Sequence, residues 1–364
     1  MTSLTALAEE ALEHAKALDA HLSSQGLPVT SFMHDSLANL PSNLTYRREG
    51  LINASQALKQ LAQGPSGVFT ELTWSCADEI SLGAVYDYQL AKLVPLEGSA
   101  TFAEIAKASC LSEDLVERVL RHSMSNHIFF EDPPGHVVHT ASSRELATDP
   151  DLNDTVGVQL RETWQAAGKS RDAIVKYSGS EEPGDTAFGL ANEPGVATFE
   201  YLSRYPERAR RFGGAMRYYG KFEGWDLKHL VHGYDWGSLD HPGALFVDVG
   251  GGQGSVARAI ADSTENLRFI VQDLAGTTQD GQKELPEKLK DRVSFMEHDF
   301  FTPQPIEGAA VYFFRWILHD WSDKYALRIL QSLIPAMTER SQVILYEWEL
   351  ADGPETRWTE KQAR

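Results

Sequence analysis

His319 and Glu347 have the types and the spacing to move a proton. The histidine ends an apolar run, FFRWILHDWSD (313–323), and the glutamate follows 28 residues later in VILYEWEL (343–350). Both runs read as neighbouring strands of one sheet, so the two side chains should emerge side by side. An imidazole with a pKa near ~6.5 suits base catalysis at neutral pH. A carboxylate on its second ring nitrogen would fix the tautomer and favour the imidazolium that forms on proton transfer. A phenol, with a pKa of ~10, is the kind of acid such a base deprotonates as the oxygen attacks a methyl group.

A second group of residues suits a nucleoside. LFVDVGGGQGSVARAI (245–260) sets Gly250, Gly251, Gly252 and Gly254 between a strand and a helix, where glycine lets the backbone turn tightly and approach a ligand. The dinucleotide fingerprint GxGxxG requires glycine at 255, where this chain has Ser255. The pattern D/E-x-G-x-G-x-G, opened by Asp248, is the S-adenosylmethionine version. The next strand ends in Asp273, whose carboxylate can accept both ribose hydroxyls; an ordinary loop aspartate or helix cap is the alternative. The third strand ends in EHDFF, with Asp299 where adenine would lie and Phe300 placed to cover the ring.

These residues need a sheet to hold them, and the sequence from Gly243 onward supplies one. Strands are predicted over 245–249, 269–272, 293–297, 310–317 and 343–347, and helices over 255–261, 282–289 and 324–337. Such alternation means an α/β domain whose parallel sheet is covered on both faces, with ligands at the carboxyl ends of the strands. Upstream, residues 4–25 read as an amphipathic helix, and helical patterns continue to about residue 93. Helices at 102–108 and 112–125 then precede short strands at 128–131 and 136–139, joined by Asp132-Pro133-Pro134-Gly135. That order is a winged-helix pattern. The domains expected are a helical and winged-helix dimerisation domain (1–150), a helical connecting region contributing to the substrate pocket (151–242), with helix near 155–176, and a cofactor-binding domain (243–364).

Charge narrows the function. With 33 Lys and Arg against 52 Asp and Glu, the formal charge is −19, which argues against nucleic acid. The would-be recognition helix agrees, because Glu113, Asp114 and Glu117 nearly cancel Arg118 and Arg121. The two cysteines, Cys76 and Cys110, form no CxxC pair and read as free thiols in a reducing compartment. The opening MTSLTALAEEALEHAKAL is not a signal peptide, and no run approaches the ~20 apolar residues of a membrane span. A cytoplasmic protein without metal or membrane partner is expected.

Taken together, Gly250-Gly251-Gly252-Gln253-Gly254, Asp273, His298-Asp299-Phe300, the run Arg315 to Trp321 and Glu347 resemble the plant-type small-molecule O-methyltransferases. These are class I, metal-free enzymes dependent on S-adenosyl-L-methionine. The resemblance is nearest to fungal enzymes of aromatic polyketide pathways, of the sterigmatocystin kind. It implies a Rossmann-like domain behind an N-terminal all-α/winged-helix dimerisation domain, a homodimer, and a small aromatic substrate methylated on a phenolic hydroxyl. His319 matches the base, Glu347 the carboxylate that orients it, and Asp320 a residue lining the same site. Gly250, Gly252, Asp273, Asp299, Phe300, Arg315 (where the family usually has lysine), Phe199 and Trp321 match cofactor contacts. Phe212 and Met216 match residues that grip the flat substrate, although core packing on their helix stays open.

The family pattern continues past Arg364, with a second acidic residue beside the base and an antiparallel strand pair that closes the sheet. Their absence from this chain leads to the expectation of an open sheet edge at 343–346, reduced stability and weak turnover. A catalytically impaired or non-catalytic relative that binds cofactor and dimerises is therefore the alternative reading. A DNA-binding regulator lacks its basic face, and a metal-dependent catechol-type methyltransferase would need a metal carboxylate where His319 stands.

Overall fold

In the computed structural model, which describes residues 3–33, 36, 40–349 and 357–359, Ser3 caps α1 (Leu4–Ser24) by accepting from the Ala6 N–H at 3.1 Å. Leu7, His14, Leu18 and Leu22 recur at helical spacing and are the buried stripe of α1. It packs on α2 (Thr45–Trp74), which is kinked at Gly64, in the left-handed region, before Pro65. The chain divides into two units, residues 1–160 with 350–364, and residues 161–349.

The first unit continues with α3 (Cys76–Asp87), α4 (Leu90–Leu93), β1 (Ala100–Thr101), α5 (Phe102–Ser109) and α6 (Glu113–Met124). Thr101 and Glu104 form a reciprocal capping box at the start of α5, and Ser112 caps α6. β2 (Phe130–Glu131) and β3 (His136–Val138) form a hairpin, and β1 pairs on the other side of β3. β1 was not expected, since two residues are too short to show a period of two. Ile105, Val116, Leu120, Phe129 and Val137 form the core of this helix–helix–hairpin region. On α6, Arg118 pairs with Asp114, and Arg121 with Glu117 and Glu131. Then α7 (Ala141–Thr148) and α8 (Pro150–Val158) follow.

In the second unit, α9 (Trp164–Lys176), α10 (Ala187–Ala191), α11 (Thr198–Arg204), α12 (Pro206–Tyr219) and α13 (Leu227–Gly233) precede the sheet. Its strands are β4 (Leu245–Val249), β5 (Arg268–Asp273), β6 (Val293–Glu297), β7 (Val311–Arg315) and β8 (Gln342–Tyr346), all parallel in the order β6-β5-β4-β7-β8. Helices α14 (Ser255–Ala261), α15 (Ala275–Lys283) and α16 (Asp323–Leu333) connect them. Phe246, Phe269 and Phe313 fill one core layer with Ile260 of α14, while Val247, Tyr312 and Phe314 fill the other with Ile329 and Leu333 of α16. Adjacent strand residues are thus buried on opposite faces, as a sheet covered on both sides requires. Strand order reverses at β4, so a crevice opens at the carboxyl ends of β4 and its neighbours.

Three expectations need correction. The helix expected over 282–289 lies at Ala275–Lys283, with only a short turn at Glu287–Leu289. Leu285 and Leu289 supplied the apolar spacing, but Pro286 cannot continue a helix. The fourth strand, expected to reach residue 317, stops at Arg315 because Trp316 takes a left-handed backbone (φ 58°). The last helix stops at Leu333, before Pro335. Among the described residues β8 pairs only with β7, leaving Val343 and Leu345 36% and 47% exposed along that edge. No helix among them is long and apolar enough to cross a membrane.

Candidate functional site

β4 ends over a buried carboxylate. Asp248 is 1% exposed and its Oδ2 has no hydrogen-bond partner. Burial pushes its carboxyl up to about 7, with Asp273 adding to the rise and Arg315 opposing it. The chain then turns through Gly250, Gly252 and Gly254, all left-handed. A Cβ at Gly250 would stand 2.5 Å from the Ile317 side chain, and one at Gly251 would stand 2.4 Å from Asp248 Cγ. The turn is therefore pressed onto both the carboxylate and the loop that carries His319, and glycine is required for the contact as well as for the dihedral.

The state of Asp248 can be checked through stability. Its folded pKa of about 7 lies above its usual 3.8, so the folded protein binds the proton more tightly than the unfolded chain. The stabilisation is full below the unfolded pKa and is lost as pH rises through the folded one. Asp248→Asn, neutral at every pH, should therefore raise the melting temperature of the cofactor-free protein at pH 8 and lose that advantage at pH 4. A pH-independent difference in thermal melts would contradict this assignment.

Asp273 at the end of β5 is tied to the same turn. Its Oδ2 accepts the Gly252 N–H at 2.9 Å and its Oδ1 the Leu274 N–H at 2.7 Å. Burial pushes its carboxyl up, and those two N–H groups pull it back. The Thr277 side chain also bonds this carboxylate, and the lone-pair capacity that remains can take a ribose hydroxyl while the group holds the turn. Asp299, past β6, is exposed and accepts the Phe301 N–H at 2.9 Å. Phe300 lies against the Gly250 turn and packs edge-on against Trp321, ring centroids 5.9 Å apart. Phe199 of α11 stacks on Trp321 at 6.2 Å and meets Phe212 of α12 edge-on at 5.9 Å. Four rings far apart in sequence thus form one aromatic wall, with half-buried Met216 one turn beyond Phe212 on α12.

Beyond Trp316 the chain leaves the sheet and closes around Glu347. The Ile317 and Leu318 N–H groups donate to Glu347 Oε1 at 2.8 and 2.9 Å, and His319 Nδ1 lies 2.6 Å from Oε2. His319 therefore stands on a short turn (Leu318–Asp320) rather than on the strand itself. Its Nε2 is 3.5 Å from Asp320 Oδ1, and the side chain is 46% exposed. The Glu347 hydrogen bond raises the imidazole above its ordinary value, with burial opposing. For Glu347, burial acts upward, but His319 and the two N–H groups outweigh it and hold the carboxyl below its usual range. Burial pushes Asp320 up. The result is an imidazole with Nδ1 fixed on a carboxylate and Nε2 on its outer side.

Arg315 is more enclosed than a surface cofactor contact. Its guanidinium lies 3.8 Å from the Trp316 ring centroid and donates from Nη2 to the Trp225 carbonyl at 3.0 Å. Trp225 in turn meets Trp316 at 5.4 Å and Trp348 at 6.1 Å. Sequence reasoning missed Trp225, which lies in no recognisable spacing, and passed over Asp248 as a site residue although the D-x-G-x-G-x-G pattern had marked it. Among the described residues no group of three or more His, Cys, Asp or Glu could hold a metal ion.

A family profile described as an O-methyltransferase domain matches residues 171–363. O-methyltransferase AMT9 of Alternaria alternata is 38% identical over 99% of this chain and 85% of its own length. The chlorophenol O-methyltransferase of Trichoderma longibrachiatum is 34% identical over 98% of this chain and 78% of its own. Among solved structures, OxaC in complex with S-adenosylhomocysteine and oxaline superimposes with a TM-score of 0.75 at 22% identity, covering 94% of this chain and 83% of that one. LepI in complex with S-adenosylmethionine gives 0.73 at 22% identity, covering 98% and 87%. At that identity the structural likeness speaks for the fold alone.

Proposed function

We propose, of a chain that belongs to the O-methyltransferase domain family, that it methylates a phenolic hydroxyl of an aromatic secondary metabolite of polyketide type, with His319 as general base. The cofactor is S-adenosyl-L-methionine, which when bound supplies an electrophilic methyl group on a sulfonium. The residues present fit it: a glycine turn too tight for any Cβ at 250 or 251, a ribose-competent Asp273, and a carboxylate with an unpartnered oxygen at Asp248. Gly250 and Gly252 would hold the cofactor along the turn, with Asp299 and Phe300 at the adenine and Arg315, Phe199 and Trp321 around the remainder.

The chain's own work is positioning and proton removal. Phe212 and Met216 would lay a flat acceptor in line with the methyl, and placement of this kind supplies much of the rate of a displacement. His319 Nε2 would then take the phenol's proton as its oxygen attacks, while Glu347 holds Nδ1 and stabilises the imidazolium. Asp320, near Nε2, adds to that stabilisation. The observation that carries the reading is the 2.6 Å contact between Glu347 and His319. It is tested by offering labelled S-adenosylmethionine with a panel of phenols and polyketides and reading products by mass spectrometry. Label on a phenolic oxygen is expected. Cofactor binding without transfer to any acceptor would favour the non-catalytic alternative.

The first unit supports pairing of two copies. Phe69, Leu72, Trp74 and Ile80 are each more than half exposed on α2 and α3, apolar side chains that pairing would remove from water. The ion-paired arginines of α6 give nucleic acid no basic face. Light scattering should return twice the mass of one chain, and Trp74→Glu should return a single chain; a monomeric parent protein would reject the dimer. Exposed, free Cys76 and Cys110 suit a cytoplasmic setting.

A further inference from the structure

Over the mouth of the glycine turn, α12 holds out a guanidinium. Arg217 Nη1 donates to Gln253 Oε1 at 3.0 Å. A Cβ at Gly213, one turn earlier on the same face of α12, would lie 3.9 Å from both Arg217 Nη1 and Gln253 Nε2. Gln253 stands between Gly252 and Gly254, so Arg217 is fixed at the turn itself rather than on a remote surface.

Two carboxylates stand against that turn. Asp248 lies beneath it with an unpartnered oxygen, and Asp273 is bonded to its Gly252 N–H. In their ionised forms both carboxylates repel the cofactor's tail carboxylate. A local cation offsets that repulsion, and of the other guanidiniums at hand Arg258 of α14 donates from Nε to the Gly254 carbonyl at 3.3 Å. Arg315 faces Asp248 but is folded onto the Trp316 ring and the Trp225 carbonyl. A guanidinium carries five donors in a planar fork, enough to hold an amide oxygen and a carboxylate together.

We propose that Arg217 is the counter-ion of the cofactor's α-carboxylate, with Gln253 as the positioning residue that aims it. The assignment rests on the family's cofactor and not on the phenolic acceptor, so it stands or falls separately from the reaction proposed above.

Calorimetry on the full chain tests it with two ligands, S-adenosylhomocysteine and its decarboxylated analogue, which keeps the adenosine, sulfur and amine. The unsubstituted protein should prefer S-adenosylhomocysteine. Arg217→Gln should weaken that ligand roughly ten- to a hundredfold, the range of a lost charge-assisted hydrogen bond, while the decarboxylated analogue binds as before. Arg217→Lys, which keeps the charge but not the fork, should fall between, and it carries the same comparison if the glutamine variant does not fold. Equal weakening of both ligands would reduce Arg217 to a support of the turn and overturn the proposal. So would unchanged affinity for both, or loss of the preference in Arg315→Met but not in Arg217→Gln.

Discussion

Exchange of His319 for alanine should lower turnover by about a hundredfold or more, the usual contribution of a positioned general base, while leaving affinity for S-adenosylhomocysteine unchanged. The imidazole stands outside the glycine turn and Asp273, so the cofactor contacts do not depend on it. A fall in turnover without a change in binding is the signature of an interaction made in the transition state alone. Glu347→Gln tests the partner. Because the Glu347 hydrogen bond raises the His319 pKa, the neutral imidazole that accepts a proton accumulates only as pH climbs through that raised value. The rising limb of the pH–rate profile should therefore lie above the ordinary histidine range and move to lower pH in Glu347→Gln. A limb that stays in place would separate Glu347 from the base.

The second large effect is expected at Asp273. Its carboxylate should accept a ribose hydroxyl, and a charge-assisted hydrogen bond contributes ~1.5–3 kcal/mol, so Asp273→Ala should weaken S-adenosylhomocysteine at least about tenfold. Since Asp273 also accepts the Gly252 and Leu274 N–H groups, part of the loss would come from a looser turn. Asp273→Asn divides the two contributions, because it keeps the side-chain volume and one acceptor oxygen while removing the charge. Calorimetry that found the alanine variant as tight as the parent would remove Asp273 from the cofactor site.

The parts of this protein that were legible in its sequence are those fixed by short-range pattern. The alternation of Val, Phe and Tyr runs with helical stretches marked all five parallel strands, and the positions just beyond their ends followed, from Gly250 past β4 to Glu347 past β8. What escaped has no local mark. A left-handed Trp316 leaves no trace in composition, yet it ends β7 two residues early and turns the Ile317 and Leu318 N–H groups onto Glu347. The contact between Trp225 and Trp316 joins residues far apart in the chain, and only packing creates it. α15 was displaced because Leu285 and Leu289, which pack on the core, mimic a helical period across Pro286. The pairing of Arg217 with Gln253 is likewise tertiary, since neither residue lies in a motif that names the other.

The proton transfer itself is tested most directly by varying the acidity of the acceptor. Methyl transfer should be measured at pH 8 for the parent and for His319→Ala across phenols of similar size, from an unsubstituted phenol, with a pKa of ~10, to polychlorinated or nitro-substituted phenols that are already ionised. If His319 removes the phenolic proton, the loss caused by the alanine variant should be large for the weakly acidic phenols and should shrink toward nothing for those that arrive as phenolates. An equal loss across the whole series would show that His319 serves the site without taking the proton, and general-base catalysis by His319 would be wrong.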